Sequence, residues 1–320
     1  MYTIAFDMGG TRIKIGIIKN GKIVNSKIIP ALSNIGLETR LPAIKKVITN
    51  LCDDLNINIS DCQGIGIACP GVISQDNKRI VSINEKYNDA VSLDLPAWSE
   101  KEFNLPLFID NDARMACIGE WQYGAGRGYD NLVVMTLGTG IGTSAVVDGH
   151  LLRGSHGIAS LLGGHFTINY NGDKCTCPNI GCSELEASTV SLDKNARTHP
   201  AFNISKLSKV KNIEYEAVFK YAEENDLCAK YLLDRSLKIW SITALNLAHA
   251  YDPEIMILGG GIMASGEVII PAIQEYVSSH SWNPYDKVKI VRAEHGNNAA
   301  LLACEWLLNC KINKHEILDY

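Results

Sequence analysis

The sequence predicts an α/β fold built twice. Three observations point there. Apolar strands alternate with stretches of helical periodicity. One unit, strand then glycine turn then strand, occurs at FDMGGTRIKIGII and again at LVVMTLGTGIGTSAVVDG (132–149). An Asn-Asp pair closes the apolar strand LPLFIDND (105–112), at the strand end where α/β sheets gather their ligands. Repetition of one supersecondary unit predicts an internal duplication, with a cleft between two lobes.

Each element follows from its residues. Tyr2–Asp7 and Lys14–Lys19 are apolar strands joined by the turn MGGT, and a third strand is expected near Lys22–Pro30. Leu37–Leu55 carries apolar residues at helical spacing. GIGIACPG (64–71) reads as a buried strand ending in a Pro-Gly turn. ARMACIGEWQYG then starts a helix, with Asp112 near its N-terminus. After residue 149, Tyr215–Tyr251 is largely helical, MILGGGI (256–262) is a strand running into three glycines, and Asn298–Leu308 is a last helix. Lys194–Lys211 is polar and poorly periodic, which predicts a surface excursion. The expected division is a small N-terminal lobe over 1–112, completed by a C-terminal helix at about 298–320, and a large lobe over 113–297.

Composition narrows the function. The chain has 320 residues, 46% hydrophobic and 20% charged, as in ordinary soluble globular proteins. Its net charge of −5 argues against a nucleic-acid partner, which calls for a basic face. No apolar run is long enough to span a bilayer and no signal peptide precedes the strand at Thr3, so no membrane partner is expected. Cysteines clustered at metal spacing, with the others isolated, fit a reducing cytoplasm.

Four residues, His165, Cys175, Cys177 and Cys182, fall within the run HFTINYNGDKCTCPNIGC. Three thiolates and an imidazole make a closed tetrahedral shell for structural Zn²⁺. The glycine turns bring backbone N–H groups close to phosphate oxygens with no Cβ in the way. They are neither a Walker loop nor a dinucleotide fingerprint, because each lies between two strands. Gly259, Gly260 and Gly261 form a third cluster. Asp7 precedes the first turn, where a carboxylate can hold Mg²⁺ through water or simply cap the turn. Thr11 and Thr139 can add hydroxyl donors, whereas Lys14 is expected to point into solvent. At Asn111-Asp112 a carboxylate can take the proton of an attacking hydroxyl while the amide fixes the substrate. The same dipeptide is also a common helix cap.

These segments together resemble the ROK (repressor, open reading frame, kinase) family of sugar kinases, which share the actin-like, ribonuclease H-like fold. FDMGGTRIKIGI resembles the first phosphate loop, DNDARMACIGEWQYGAG the catalytic segment, and MTLGTGIGTSAVVDGHLLRG the second phosphate loop. HFTINYNGDKCTCPNIGCSELEAS resembles the zinc signature CxCGxxGCxE, with Pro178 where glycine is usual. DPEIMILGGGI resembles the strand and turn beneath the adenosine. The resemblance implies a glucokinase-like transfer of phosphate from ATP to a terminal hydroxyl of a hexose or hexose derivative. Asp112 is then the catalytic base, and Asn111, His165 and Glu184 contact the sugar. Gly9, Gly10, Thr11, Gly138, Thr139, Gly140, Gly259 and Gly260 hold the nucleotide with Asp7 and Mg²⁺. His165, Cys175, Cys177 and Cys182 ligate Zn²⁺. The remaining histidines, His150, His156, His199, His249, His280, His295 and His315, are expected in surface or packing roles. Family members are often dimers, so a homodimer is expected.

One departure bears on the substrate. The family usually carries a sugar-binding glutamate three positions before the zinc histidine, where SLLGGH places Leu162. An aliphatic side chain accepts no hydroxyl hydrogen bond, and an unpaired buried hydroxyl costs about 1–3 kcal/mol. Ordinary glucose is then expected to bind less well by roughly 10–100-fold unless another group compensates. Two rivals are a sugar-binding protein with weak or no turnover and a regulator of the same family. The regulators add a DNA-binding helix-turn-helix before the first strand, which the start at Thr3 and the acidic charge do not favour.

Overall fold

The computed structural model describes residues 1–84 and 86–313. In chain order the elements are β1 (Tyr2–Met8), β2 (Arg12–Lys19), β3 (Lys22–Pro30), α1 (Leu41–Asp54), β4 (Cys62–Cys69), β5 (Val72–Ile73), β6 (Ile80–Ser82), α2 (Leu95–Phe103), β7 (Leu107–Asn111) and α3 (Asp112–Tyr123). There follow β8 (Leu132–Leu137), β9 (Ile141–Val147), β10 (His150–Leu151), α4 (Ser183–Ala187), α5 (Thr189–Arg197), α6 (Tyr215–Glu223), α7 (Leu227–Tyr251), β11 (Ile255–Gly259), α8 (Gly266–His280), β12 (Lys289–Arg292) and α9 (Ala299–Asn313).

The two large sheets have the same plan. One is ordered β3-β2-β1-β4-β7 and the other β10-β9-β8-β11-β12. In the first, β1 pairs antiparallel with β2 and parallel with β4, and β4 pairs parallel with β7. In the second, β8 pairs antiparallel with β9 and parallel with β11, and β11 pairs parallel with β12. The expected duplication is therefore present in the topology, and each glycine turn joins the first two strands of its sheet.

The chain divides into two units. The first comprises Met1–Gly128, Gly149–Ala159 and the segment from Asn297, and the second Tyr129–Asp148 with Ser160–Gly296. In the first unit the central strands are apolar on both faces because both are covered. Ile4, Phe6, Ile13 and Ile15 share a core with Ile44, Ile48 and Leu51 of α1, while α9 packs on β1 and β4. The edge strand β3, in contact with solvent, is mostly exposed. In the second unit β8 and β11 are buried almost throughout, and α7 packs against α8.

The division falls after Gly128, not after Asp112 as expected from sequence. Helix α3 packs on α9 of the first unit, so closely that a β-carbon at Gly119 would lie 2.1 Å from the carbonyl oxygen of Ala299. Residues 314–320, onto which the last helix was extended, lie outside the described residues, as does His315. Lys194–Lys211 also differs from expectation. It holds the end of α5 and two short 3₁₀ turns, and it buries Ala196, Phe202 and Leu207. Polar residues there serve the fold: the Ser205 hydroxyl and the Lys206 N–H donate to the Asp226 carboxylate that caps α7. Helices α2 and α8 and strand β12 were not anticipated. The first two carry prolines within or at the start of their runs, and β12 is only four residues long.

Candidate functional site

In the first unit the turn between β1 and β2 is held by its carbonyls. Gly9 N–H donates to the Arg12 carbonyl at 2.9 Å, and Ala31 N–H to the Thr11 carbonyl at 2.9 Å. The Tyr87 hydroxyl donates to the Gly9 carbonyl at 2.8 Å and the Ser33 hydroxyl to the Gly10 carbonyl at 2.7 Å. Tying down these oxygens keeps the negative ends of the peptide dipoles from repelling an anion.

The second turn, in the second unit, is built the same way. Thr189 donates to the Gly138 carbonyl through its N–H at 3.1 Å and its hydroxyl at 3.0 Å, and Gly138 N–H donates to the Gly140 carbonyl at 3.0 Å. A β-carbon at Gly138 or at Gly261 would meet open space among the described residues, whereas Gly260 has φ 90° and backs onto the Leu137 carbonyl.

Asp7 sits opposite Lys14 across the β1–β2 pair. Burial, then the Asp112 carboxylate, push its carboxyl up to about 7, against a smaller pull from Lys14. Lys14 is half-buried rather than in solvent as expected. It donates to the side-chain carbonyl of Asn298, and burial lowers its pKa against the opposing effect of Asp7. Its position on a strand facing α9 hid this from sequence reasoning. Burial likewise raises the Cys69 thiol, with Asp112 and Asp7 adding to the effect. Asp7, Cys69 and Asp112 thus form one acidic corner, and a carboxyl that burial and then a neighbouring carboxylate lift to neutrality suits a divalent cation.

Asn111 is the N-cap of α3. Its side-chain oxygen accepts from the N–H groups of Ala113 (2.9 Å) and Arg114 (3.1 Å), and its amide nitrogen donates to the Gly71 carbonyl at 3.0 Å. Asp112 occupies the first turn, where the helix dipole favours a carboxylate. Beneath them lies a network that sequence reasoning missed. Asp110 is fully buried and its carboxylate pairs with Arg114 and Arg153, each at 2.8 Å. Arg114 also donates to the Gly157 carbonyl at 2.7 Å. Burial alone would raise the Asp110 carboxyl, but Arg153 and Arg114 outweigh it and hold the pKa low. The signal available was the first acid of DND, Asp110, with an arginine four residues on.

In the second unit, His165, Cys175, Cys177 and Cys182 bring their ligand atoms within 4.8 Å of one another. The Cys177 and Cys182 sulfurs are 3.5 Å apart, and the Cys175 sulfur is 3.8 Å from Nδ1 of His165. A tetrahedron with metal–sulfur bonds of about 2.3 Å has edges of roughly 3.8 Å, so the spacing and the donor set both fit Zn²⁺. Burial and the neighbouring thiols push the Cys182 thiol up, the cost that a bound cation would relieve. The Asn179 amide donates to the His165 carbonyl at 3.0 Å. Cys175 N–H closes a tight turn on the Asn179 carbonyl at 2.8 Å, with exposed Pro178 inside it.

Glu184 joins this segment to the second glycine turn. One carboxylate oxygen accepts from Ile141 N–H at 2.8 Å. A β-carbon at Gly140 would lie 2.2 Å from that oxygen, so a side chain there would displace the carboxylate. Leu162, three residues before His165, is 45% exposed.

A sequence model described as the ROK family matches residues 3–310. The chain belongs to the ROK family. It is 31% identical over 280 residues to a glucokinase of Thermotoga maritima, covering 86% of each chain. It is also 31% identical over 240 residues to a xylose repressor of Bacillus subtilis, covering 75% of this chain and 59% of the repressor. The chain thus spans under two thirds of that repressor's length. Among solved structures it superposes with a TM-score of 0.79 on a ROK family glucokinase from Streptomyces griseus in complex with glucose and AMPPNP. That pair is 25% identical and covers 96% of this chain and 99% of the other. The fold class is therefore the duplicated, actin-like α/β fold of these kinases. No helix among the described residues is long and apolar enough to cross a membrane.

Proposed function

We propose that this ROK protein is a sugar kinase that phosphorylates a hexose or hexose derivative at a terminal hydroxyl with ATP. The observation that carries the reading is the acidic corner of Asp7 and Asp112 beside a turn whose carbonyls are spent. The glucokinase relatives, matched over most of both lengths, support it.

Asp112 is the base. It takes the proton of the sugar hydroxyl as that oxygen attacks the γ-phosphorus, and ADP leaves with the bridging oxygen and its electron pair. General-base action of this kind contributes about 10²–10⁴ in rate. Asp112 sits in the first turn of α3, where the helix dipole favours negative charge. Asn111 has committed its carbonyl to the cap, so its contribution to the sugar is the second N–H of its amide. Glu184 and His165 supply further sugar contacts. His165 does so through Nε2, since Nδ1 faces the sulfurs.

In the turns Gly9–Thr11 and Gly138–Gly140 the amides of Gly10, Thr11, Thr139 and Gly140, with the Thr11 and Thr139 hydroxyls, serve the phosphates, and the run Gly259, Gly260 and Gly261 lets the nucleoside lie against backbone. Asp7 would hold Mg²⁺, which neutralises phosphate charge when bound. Zn²⁺ on the four cysteine and histidine ligands would fix the segment bearing His165 and Glu184. Thiolates of this kind suit a cytoplasmic setting, and a homodimer is the expected assembly.

A sugar-binding regulator is the second reading, favoured by the repressor match and by Leu162. The test is ADP release by wild type and Asp112→Asn over hexoses, amino sugars and glycosides. Sugar-dependent release that falls at least a hundredfold in the variant supports the kinase. Binding without release supports the regulator, and release unchanged in the variant rules out the base.

A further inference from the structure

Tyr87 is a bulky residue in the left-handed region, φ 48°, with its ring fully buried. Such a conformation persists only where the surroundings over-determine it, and it collects at ligand sites. Here it is stitched to the first glycine turn. Its N–H donates to the Ser33 carbonyl at 2.8 Å, its hydroxyl to the Gly9 carbonyl at 2.8 Å, and the Ser33 hydroxyl to the Gly10 carbonyl at 2.7 Å. The outcome is the placement of the residue before it. Lys86 lies across Gly10: a β-carbon there would come within 2.7 Å of Cε and 3.2 Å of the ammonium nitrogen. A strained, doubly anchored tyrosine thus delivers a lysine ammonium to a turn whose carbonyls are already engaged.

We propose that Lys86 is a phosphate-binding residue of this site, its ammonium donating to a terminal phosphoryl oxygen of the nucleotide. The inference rests on the kinase reading and deepens it. A compact ammonium on a flexible stem binds phosphate as a point charge and can follow the transferring group. It discriminates triphosphate from diphosphate, because only the former carries the terminal group.

The test is calorimetric titration of a non-hydrolysable ATP analogue and of ADP, both with Mg²⁺, into wild type, Lys86→Met and Lys86→Arg. Methionine keeps the stem that covers Gly10 and removes the charge. Lys86→Met is expected to weaken the ATP analogue roughly 10–100-fold, the range for a lost charge-assisted hydrogen bond. ADP is expected to change less than about threefold, and Lys86→Arg to keep most of the affinity. In turnover, KM for ATP should rise while KM for the sugar stays. Wild-type affinity for both nucleotides in Lys86→Met, or equal weakening of both, overturns the assignment and leaves Lys86 as cover for the turn. If wild type binds the analogue but phosphorylates no sugar, the kinase reading fails and the same titrations still decide Lys86. If wild type binds neither nucleotide, both fall.

Discussion

Replacing Asp7 with asparagine should stabilise the metal-free protein, and do so most at neutral and higher pH. In the folded chain burial and the Asp112 carboxylate push the Asp7 carboxyl up to about 7 from 3.8. A carboxyl whose folded pKa lies above its unfolded one holds its proton more tightly when folded. Between the two values the unfolded chain sheds the proton and the folded chain keeps it. Stability therefore falls as pH rises through that window and levels off above about 7. The full gap corresponds to roughly 4 kcal/mol, and solvent access to this partly exposed side chain reduces it to about 2–3 kcal/mol. Urea unfolding of wild type and Asp7→Asn without divalent cations, near pH 5 and near pH 8, measures it. The variant should be the more stable by about 2–3 kcal/mol at the higher pH, with the difference at least halved at the lower. Adding Mg²⁺ and ATP should reverse the order, because the carboxylate is what the cation needs. A difference of the same size at both pH values would refute the account of the acidic corner.

Chelation of the wild type should release one equivalent of zinc per chain, measured by a colorimetric dye. Cys177→Ser should weaken sugar binding more than nucleotide binding, because His165 and Glu184 lie on the metal segment. Arg114→Met should destabilise the first unit by about 3–5 kcal/mol in denaturant, since it leaves the Asp110 carboxylate buried with one partner fewer. Adding Asp110→Asn to that variant should recover part of the loss, and no recovery would mean the arginine acts by packing alone. Leu162→Glu should tighten glucose binding roughly tenfold by supplying a hydroxyl acceptor. Unchanged affinity would show that position 162 does not meet the sugar.

Much of the fold was legible because its signals are local. Strand β3 was expected at the residues it occupies, and both glycine hairpins fall where the repeated grammar put them. The convergence of His165, Cys175, Cys177 and Cys182 was legible for a stronger reason, since four such side chains within a short stretch leave few other arrangements. What escaped was whatever depends on distant partners. The division at Gly128 is decided by α3 meeting α9, a contact between residues far apart in sequence. Lys14 reads as a solvent lysine until Asp7 and Asn298 are seen around it. Arg153 pairs with Asp110 across more than forty positions, and nothing local in either segment announces it. The same holds for Leu207, whose polar neighbours disguised a buried side chain.

The interleaving of the two units has a consequence for biosynthesis. The first sheet is begun at Tyr2, yet its cover on one face is α9, where Cys304 and Leu308 lie against Gly66 and Gly64 of β4. A ribosome making the chain in order therefore holds a half-clothed, greasy sheet in waiting until α9 has been made. A premature stop ahead of Ala299 leaves that face of the sheet without this cover. Demand for chaperones during translation is the expected consequence of the order in which the pieces emerge.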